Sequence, residues 1–564
     1  MPYRAPLSEF TFLLDVVGFA EVAATDRFAE ASPDTVAAIL SEAGKLCETL
    51  TPLNRAGDKH PARLENGVVR TSPGFAEGYR AIATGGWVGM SASPEFGGMG
   101  LPISVTTCVN DMMGSACLAL QLNPLMTQGQ IEALEHHASD ALKSMYIPKL
   151  VSGEWCGTMN LTESQAGSDV GAVRTKAEAL GDGTYAITGQ KIFISWGDND
   201  FSGNVCHLVL ARLPDGPEGT KGISLFMVPK MIPDADGNPG ARNTLHVVSL
   251  EHKLGLHGSP TAVMQYDAAQ GWLIGEPHKG MAAMFTMMNN ARLGVGMQGV
   301  AVAEAAFQQA LSYAMDRKQG RTPLGSGAII DHADVRRMLA EMKAEVFSAR
   351  AIGLACAVAI DMARATGSAE WQARAALLTP IAKAYGTDTG CEVAHLGVQV
   401  HGGMGFIEET GAAQFSRDVR VTAIYEGTNG IQAMDLVARK MMDHGEAAYR
   451  LFDEVQAAAE MARGKHPDLA GAVWISAEAM REATEGLIAM PLQDRFAGAA
   501  PYLRAFARVL GGHFHLKSAL ADPGRLALAE FATKRLLPEY ASLLAQVREG
   551  AAGLYALTPE ALSA

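Results

Sequence analysis

The spacing of hydrophobic residues changes twice along this chain of 564 residues, and these changes limit its possible folds more than any other feature. Up to about residue 154 apolar residues recur at helical spacing, and from Trp155 to about Gly275 they alternate with a period of two. From Gly280 the helical spacing returns in long segments. This order predicts a helical part, then a β-barrel or sandwich, then a helical bundle.

Local signals predict the individual elements. Pro33 after Ser32 opens a helix over residues 35–50 that Pro52 should end, and residues 75–84 read as a second helix. Gly181-Asp182-Gly183 predicts a hairpin turn between two β segments, 174–180 and 184–188. Further short β segments should follow, separated by turns. They are 191–195, 205–213 and 222–229. The later helical patterns cover residues 281–317, 334–367, 370–402 and 431–442.

The chain is too long for a single hydrophobic core, so several domains are expected. After about Asp443 helical periodicity continues to the C-terminus, interrupted at Pro467, Pro491 and Pro523. We predict four domains: an N-terminal helical domain (1–154), a β-barrel domain (155–278), a helical bundle (279–443) and a C-terminal helical extension (444–564).

Composition narrows the class of protein. A net charge of -14 argues against general nucleic-acid binding and against attraction to anionic membranes. The seven cysteines are odd in number and lack CxxC spacing, which favours reduced thiols over a disulfide framework or a zinc site. We find no signal peptide and no apolar run approaching the roughly 18 residues that span a bilayer. The expectation is a cytoplasmic protein with no metal.

Two motifs in the β segment could contact a ligand. Residues 159–170, which include Thr162, Gly167 and Ser168, can present hydroxyls and backbone N–H groups to a phosphate or a heterocycle. Residues 189–195 place Phe193 and Ser195 on one face of a strand, which suits stacking and hydrogen bonding to a flat ring. From these residues alone, a plain turn and a hairpin strand with one core Phe remain open alternatives.

A third stretch carries a single acid between two helical patterns, Tyr425-Glu426-Gly427-Thr428. Gly427 leaves space for a ligand to approach the backbone closely. Taken alone, Glu426 could equally be a solvated acid at a helix-connecting turn, since buried acids are rare.

Five motifs together resemble the successive signatures of the acyl-CoA dehydrogenase family, in its order and spacing, over about residues 75–440. They are the two β motifs, Arg317, residues 399–403 and residues 425–428. The long form of the chain is most similar to the 3-methylmercaptopropionyl-CoA dehydrogenase subgroup. The resemblance implies an N-terminal helical domain, a β-barrel and a four-helix bundle, followed here by the C-terminal helical extension.

The resemblance also implies FAD as cofactor and assigns residues to it. The FAD-binding residues would be Met159, Leu161, Thr162, Gly167, Ser168, Phe193, Ser195, Arg317, Gln399, Gly402, Gly403 and Thr428. Arg317, Gln399 and the two glycines after His401 would act from a neighbouring subunit, which implies a homo-oligomer, at least a dimer. Relatives usually carry Trp and Thr at positions 193 and 195, and many have a longer polar residue where Gly430 stands.

By the same resemblance, the reaction takes a proton from the α-carbon and a hydride from the β-carbon of an acyl-CoA, giving a trans-2-enoyl-CoA. Glu426 would be the base, while its own backbone N–H and a ribityl hydroxyl of FAD would stabilise charge on the thioester oxygen. Ser168, Asn289, Arg292 and Gly427 would contact the substrate. The subgroup implies 3-methylthiopropanoyl-CoA as substrate, and electron-transfer flavoprotein as acceptor.

Three other functions remain open at this stage. A general short- or medium-chain acyl-CoA dehydrogenase of β-oxidation differs only in acyl preference, and an acyl-CoA oxidase differs in passing electrons to oxygen. A flavin-bearing, DNA-associated relative would need a basic face, against which the acidic net charge speaks.

Overall fold

The computed structural model describes residues 3–564, except for the side chains of residues 289 and 290. The chain divides into two compact units. The bundle unit comprises the residues up to Ser41, Pro102–Asp111 and Arg292–Ala564, and the barrel unit comprises Glu42–Leu101 and Met112–Ala291.

The helices and strands agree in order with the periodicity. The helices are α1 (Leu7–Val16), α2 (Phe19–Ala23), α3 (Pro33–Lys59), α4 (Phe75–Thr84), α5 (Ile103–His137), α6 (Asp140–Val151), α7 (Gly280–Asp316), α8 (Ala333–Thr366), α9 (Ala369–His401), α10 (Ala412–Val419), α11 (Asn429–Val437), α12 (Glu446–Ala462), α13 (Pro467–Ala489), α14 (Leu492–Ala497), α15 (Ala499–Ala521), α16 (Leu526–Phe531), α17 (Glu539–Arg548), α18 (Ala552–Tyr555) and α19 (Pro559–Ser563). The strands are β1 (Arg63–Glu65), β2 (Val68–Arg70), β3 (Trp155–Asn160), β4 (Lys176–Ala179), β5 (Tyr185–Ser195), β6 (Asn204–Arg212), β7 (Ile223–Pro229), β8 (Met231–Pro233), β9 (Pro239–Arg242), β10 (Leu245–Leu250) and β11 (Thr261–Ile274).

The main sheet of the barrel unit has seven strands in the order β10-β11-β5-β4-β6-β3, with β7 bridging β11 and β6. Strands β11, β5, β4, β6 and β7 therefore form a closed ring, which confirms the predicted barrel, and β10 and β3 pair with this ring on one side only. The predicted hairpin is the antiparallel pair of β4 and β5, with Ala179 opposite Tyr185. Inward-facing side chains such as Ile187, Val209 and Phe226 fill the interior.

Helices α7 and α9 of the bundle unit touch backbone to backbone. A Cβ atom at Gly299 would lie 2.2 Å from the carbonyl oxygen of Gly386, and one at Gly386 would lie 2.4 Å from that of Gly296. Only glycine permits this approach. The close crossing brings side chains of α7 and α9 together around the turn that carries Glu426.

The C-terminal extension is tied to the bundle through buried charges. Arg508 on α15 pairs with Glu345 on α8 and, at 2.5 Å, with Glu539 on α17. It also donates to the hydroxyl of Tyr385 on α9 at 3.0 Å. Because Arg508 is only 6% exposed, this network depends on every partner being present.

Two sequence expectations about local structure are wrong. Helix α3 does not end at Pro52 but continues to Lys59. Proline removes one N–H from the helix ladder, yet the buried Leu50 and the packing of Leu53 against Gly78 hold the following turns in place. Residues 191–195 are not a separate segment but the end of β5, which runs without a break through Gly189. A Cβ atom at Gly189 would lie 2.5 Å from Thr175 Oγ1, so only glycine fits at this point of the strand.

Helices α5 and α8 are long and apolar enough to cross a membrane by length and composition. Their most apolar windows are 94% and 89% buried in the structure, as core helices of a folded protein are. Charged residues such as Asp111 in α5 and Arg350 in α8 interrupt the apolar sequence of both helices.

Candidate active site

Glu426 lies in a tight turn of the bundle unit, directly before α11. Its φ angle is +55° and that of Gly427 is +84°, so two consecutive residues have left-handed backbone conformations. For a residue other than glycine this conformation costs roughly 1–2 kcal/mol, so surrounding contacts must hold it. The turn ends at Thr428, whose side-chain oxygen caps α11 by accepting from the N–H of Ile431 at 3.3 Å.

The environment of Glu426 favours proton uptake. Burial raises the pKa of its carboxyl group from the ordinary 4.5 to about 7, and the nearby cations Arg292 and Lys383 oppose that rise. Burial also lowers the pKa of the Lys383 ammonium to about 8, whereas Glu426 and Asp388 act to raise it. A carboxyl group with a pKa near neutrality is suited to general base catalysis.

Asn429 connects the turn to α9. Its Oδ1 atom accepts from Lys383 Nζ at 2.8 Å, and its Nδ2 atom donates to Asp388 Oδ1 at 2.7 Å. The same amide also bonds to the hydroxyl of Thr387. The fully buried Lys383 is thereby fixed beside the turn, where its charge can act on Glu426.

Two glutamines contact the turn, one at Tyr425 and one at the main chain of Glu426. Tyr425 donates its hydroxyl hydrogen to Gln298 Oε1 on α7. Gln432 on α11 donates from Nε2 to the main-chain carbonyl of Glu426 at 3.2 Å. A Cβ atom on Gly427 would lie 2.7 Å from that Nε2 atom, so a side chain there would displace the Gln432 amide.

In the barrel unit, a buried ion pair shapes the loop that begins with Leu161 and Thr162. Lys191 Nζ donates to Glu163 Oε1 at 2.8 Å and to the carbonyl of Leu161 at 3.0 Å. Glu163 also accepts from the N–H and hydroxyl of Thr175. Lys191 is fully buried and charge-paired, and Gly167 and Ser168 in the same loop are exposed.

The exposed aromatic residue of this unit is Phe193, which lies in a β-bulge of β5. Between β5 and β11 the register shifts from Ile194 opposite Ala262 to Lys191 opposite Met264. Phe193 takes a left-handed φ of +61° there, and its ring is 59% exposed while Ile194 is buried. Phe193 and Ser195 consequently share the outer face of the strand, where the ring and hydroxyl are available to a planar ligand.

The next residue along, Trp196, anchors this end of β5. It is fully buried, donates from Nε1 to the carbonyl of Ala119 at 3.1 Å, and stacks on Phe75 with ring centroids 6.2 Å apart. Met159 and Leu161 lie partly exposed at the end of β3. An exposed ring, several hydroxyls and an open glycine backbone fit the flavin and phosphates of FAD.

A second group of predicted residues lies together at the far ends of α7 and α9. Tyr313 on α7 stacks on His401 on α9 with ring centroids 4.4 Å apart. This contact places the exposed Arg317 beside the end of α9, where Gln399, Gly402 and Gly403 are also exposed. A Cβ atom at Gly402 or Gly403 would meet nothing within 4 Å, so a ligand phosphate has access to their backbone.

This second group is not at the Glu426 turn of the same chain. Lys383, which lies beside the turn, and Gln399 are separated by four to five helical turns of α9, roughly 24 Å at 1.5 Å per residue. Thr428, by contrast, belongs to the turn itself.

The predicted substrate contacts are divided between the two units. Arg292 is buried at 7% exposure, within electrostatic range of Asp435 and Glu426. It therefore faces the base, whereas Ser168 belongs to the barrel unit. Asn289 lies outside the described side chains. Gly430 is exposed, with open space around the position of its missing side chain.

Sequence reasoning missed Lys383, Gln432, Asn429 and the Glu163–Lys191 pair. A single lysine inside the apolar stretch Ile381-Ala382-Lys383-Ala384-Tyr385 was a usable signal, because a buried lysine needs a partner. Gln432 gave no signal, since its role depends on the backbone conformation of a residue six positions earlier.

Family models match most of the chain between residues 59 and 558. The acyl-CoA dehydrogenase N-terminal, middle and C-terminal domains match residues 59–154, 158–269 and 278–442. A further model, the acetyl-CoA dehydrogenase C-terminal like domain, matches residues 451–558.

Individual relatives agree with these models. The 3-methylmercaptopropionyl-CoA dehydrogenase of Ruegeria pomeroyi is 45% identical over 93% of this chain and 92% of its own length. A butyryl-CoA dehydrogenase of Syntrophomonas wolfei is 34% identical over 86% and 83%. Among solved structures, Caenorhabditis elegans ACDH-11 in complex with C11-CoA shares the fold, with a TM-score of 0.81 at 20% identity over 95% of this chain and 92% of that one. The chain belongs to the acyl-CoA dehydrogenase family.

Proposed function

We propose that Glu426 is the catalytic base of this FAD-dependent acyl-CoA dehydrogenase and that its substrate is 3-methylthiopropanoyl-CoA. The observation that carries the first part is the carboxyl group of Glu426, held in a left-handed turn with its pKa raised by burial to about 7. A solvated glutamate would be too weak a base for the α-proton of a thioester.

Glu426 abstracts the α-proton, and the surrounding residues prepare it for that step. Burial raises the pKa of its carboxyl group to about 7, so the ionised group binds a proton more tightly than an ordinary glutamate does. Arg292 and Lys383 keep the ionised form accessible despite burial. The base alone contributes roughly 10² to 10⁴ in rate.

Stabilisation of charge on the thioester oxygen supplies a further part of the rate. One well-placed hydrogen-bond donor at such an oxygen is worth about 3–4 kcal/mol. We assign this donor to the backbone N–H of Glu426, so that one residue supplies both the base and the oxyanion contact. Gly427 keeps the acyl chain clear of side chains at this point.

FAD, when bound, supplies the acceptor for the β-hydride. Phe193 and Ser195 would cover its ring, and Thr162, Gly167, Ser168 and Thr428 would hold its polar groups. The wide separation of Arg317 and Gln399 from the Glu426 turn supports their serving the FAD of a second copy, in a homodimer or larger oligomer. Sedimentation of the purified protein tests this: a monomer that retains FAD would contradict it.

The substrate assignment rests on the 45% identity to a 3-methylmercaptopropionyl-CoA dehydrogenase over nearly the whole of both chains. Turnover of 3-methylthiopropanoyl-CoA, butanoyl-CoA and octanoyl-CoA should be compared as kcat/KM under identical conditions. The highest value is expected for 3-methylthiopropanoyl-CoA. A higher value for butanoyl-CoA would make the protein a general short-chain enzyme instead.

We further assign electron-transfer flavoprotein as the acceptor and the cytoplasm as the location. All seven cysteines are free thiols, which suits a reducing compartment. Turnover should depend on an added electron acceptor and release little hydrogen peroxide in air. Stoichiometric peroxide without an acceptor would instead identify an oxidase.

A further inference from the structure

The main-chain carbonyl group of Glu426 is held by one buried side chain from the following helix. Gln432 is 1% exposed and donates from Nε2 to this carbonyl oxygen at 3.2 Å. Within the described part of the chain its Oε1 atom accepts no hydrogen bond, so the contact with Glu426 is what orients the amide. Backbone bonds of α11 fix the position from which Gln432 reaches back, since its N–H donates to the carbonyl of Thr428 at 3.0 Å.

The backbone conformation of Glu426 controls both of its proposed tasks. The φ angle is the rotation about the N–Cα bond, so it sets the angle between the N–H and the side chain of the same residue. At +55° the N–H and the carboxyl group have a fixed relative direction that a relaxed, negative φ would change. Any contact that holds this conformation thus aligns the proton acceptor with the oxyanion donor.

We propose that Gln432 is a positioning residue of the dehydrogenation, which holds the left-handed conformation of Glu426 and thereby aligns its carboxylate with its backbone N–H. The inference rests on the proposed role of Glu426. Gly427 belongs to the same device, because a side chain there would displace the Gln432 amide. Asn429 and Lys383 fix the start of α11, and Gln432 transmits that fixed position to the base.

The test removes the hydrogen bond without removing volume. Gln432→Met keeps a side chain of similar length but cannot donate to the carbonyl of Glu426. Gln456→Met is the matched control, because Gln456 is a glutamine of the C-terminal extension that donates to Glu478 at 2.8 Å. Both variants are loaded with FAD, and flavin reduction by acyl-CoA is followed by rapid mixing without oxygen.

We expect Gln432→Met to reduce flavin roughly 10- to 100-fold more slowly, as misplacement of a reacting group does, with KM within about threefold of wild type. Its α-deuterium isotope effect should rise, because proton abstraction becomes more rate-limiting. Loss of fold or of FAD alone would not raise that effect. The control should match wild type in rate and isotope effect.

Several results would overturn the proposal. A Gln432→Met rate within twofold of wild type would show that the bond is not needed, and an equal loss in the control would show a general packing effect. If Gln432→Met does not retain FAD, the same measurements are made on Gln432→Asn. Its side chain is smaller and too short to reach the carbonyl oxygen of Glu426. Loss of FAD in both variants would make Gln432 structural. A wild-type protein that no acyl-CoA reduces would refute the proposed function itself.

Discussion

Replacing Glu426 with glutamine should stabilise the protein while abolishing its activity, and the gain in stability should depend on pH. The folded-state pKa of about 7 lies above the ordinary 4.5, so the folded protein binds this proton more tightly than the unfolded chain does. Below pH 4.5 both states are protonated, and burial of the carboxyl group costs no ionisation energy. As pH rises towards 7, the unfolded state gains from ionisation first, and the cost of keeping Glu426 buried grows.

The size of the effect follows from the two pKa values. A difference of about 2.5 units at 1.36 kcal/mol per unit gives ~3 kcal/mol above pH 8, and about 1.4 kcal/mol at pH 5.5. Glutamine has the same shape and no charge, so Glu426→Gln avoids this cost. The free energy of unfolding of the variant, relative to wild type, should therefore rise by about 2 kcal/mol between pH 5.5 and pH 8.5.

The assay is urea unfolding of wild type and variant at both pH values, without substrate. Glu482→Gln is the matched control, because Glu482 is an exposed glutamate of α13, and it should show no pH-dependent gain. A gain for Glu426→Gln that is equal at both pH values, or absent, would refute the burial argument. It would indicate instead that Glu426 titrates as an ordinary surface acid.

Three further changes should have defined effects. Lys383→Met removes a cation that lowers the pKa of Glu426, so the acid limb of the kcat/KM profile should move to higher pH; an unmoved limb would contradict the coupling. Gly430→Ala should raise the free energy of unfolding by up to ~1 kcal/mol in urea, because the site is open and alanine is the better helix former; a loss would reveal an unseen clash. Arg508→Met leaves Glu345 buried without its cation, and unfolding measurements should show a loss of about 3–5 kcal/mol; a change below 1 kcal/mol would mean that the network relaxes.

Much of the architecture could be predicted because it depends on local patterns. Helix α4 has the bounds expected from its periodicity, Phe75–Thr84, and Gly181-Asp182-Gly183 marks the observed hairpin. Pro52 was misjudged because its local preference is outweighed by the packing of α3, which no local pattern shows.

The surroundings of Glu426 were less accessible from sequence. The motif around Glu426 identifies the residue, but its pKa is set by burial, which raises it, and by cations from two other helices, which lower it. Lys383 precedes it by more than forty positions and is held beside the turn through Asn429. The left-handed conformation of Glu426 also escapes prediction, since such residues are usually glycine.

Glu426 is proposed to take the α-proton of an acyl-CoA. The most direct measurement is anaerobic rapid mixing of FAD-loaded wild type and FAD-loaded Glu426→Gln with 3-methylthiopropanoyl-CoA, followed through the absorbance of oxidised flavin. Wild type should bleach, whereas the variant should keep its oxidised spectrum. The rate of flavin reduction in the variant should be lower by roughly 10² to 10⁴. Bleaching of the variant at the wild-type rate would contradict the account.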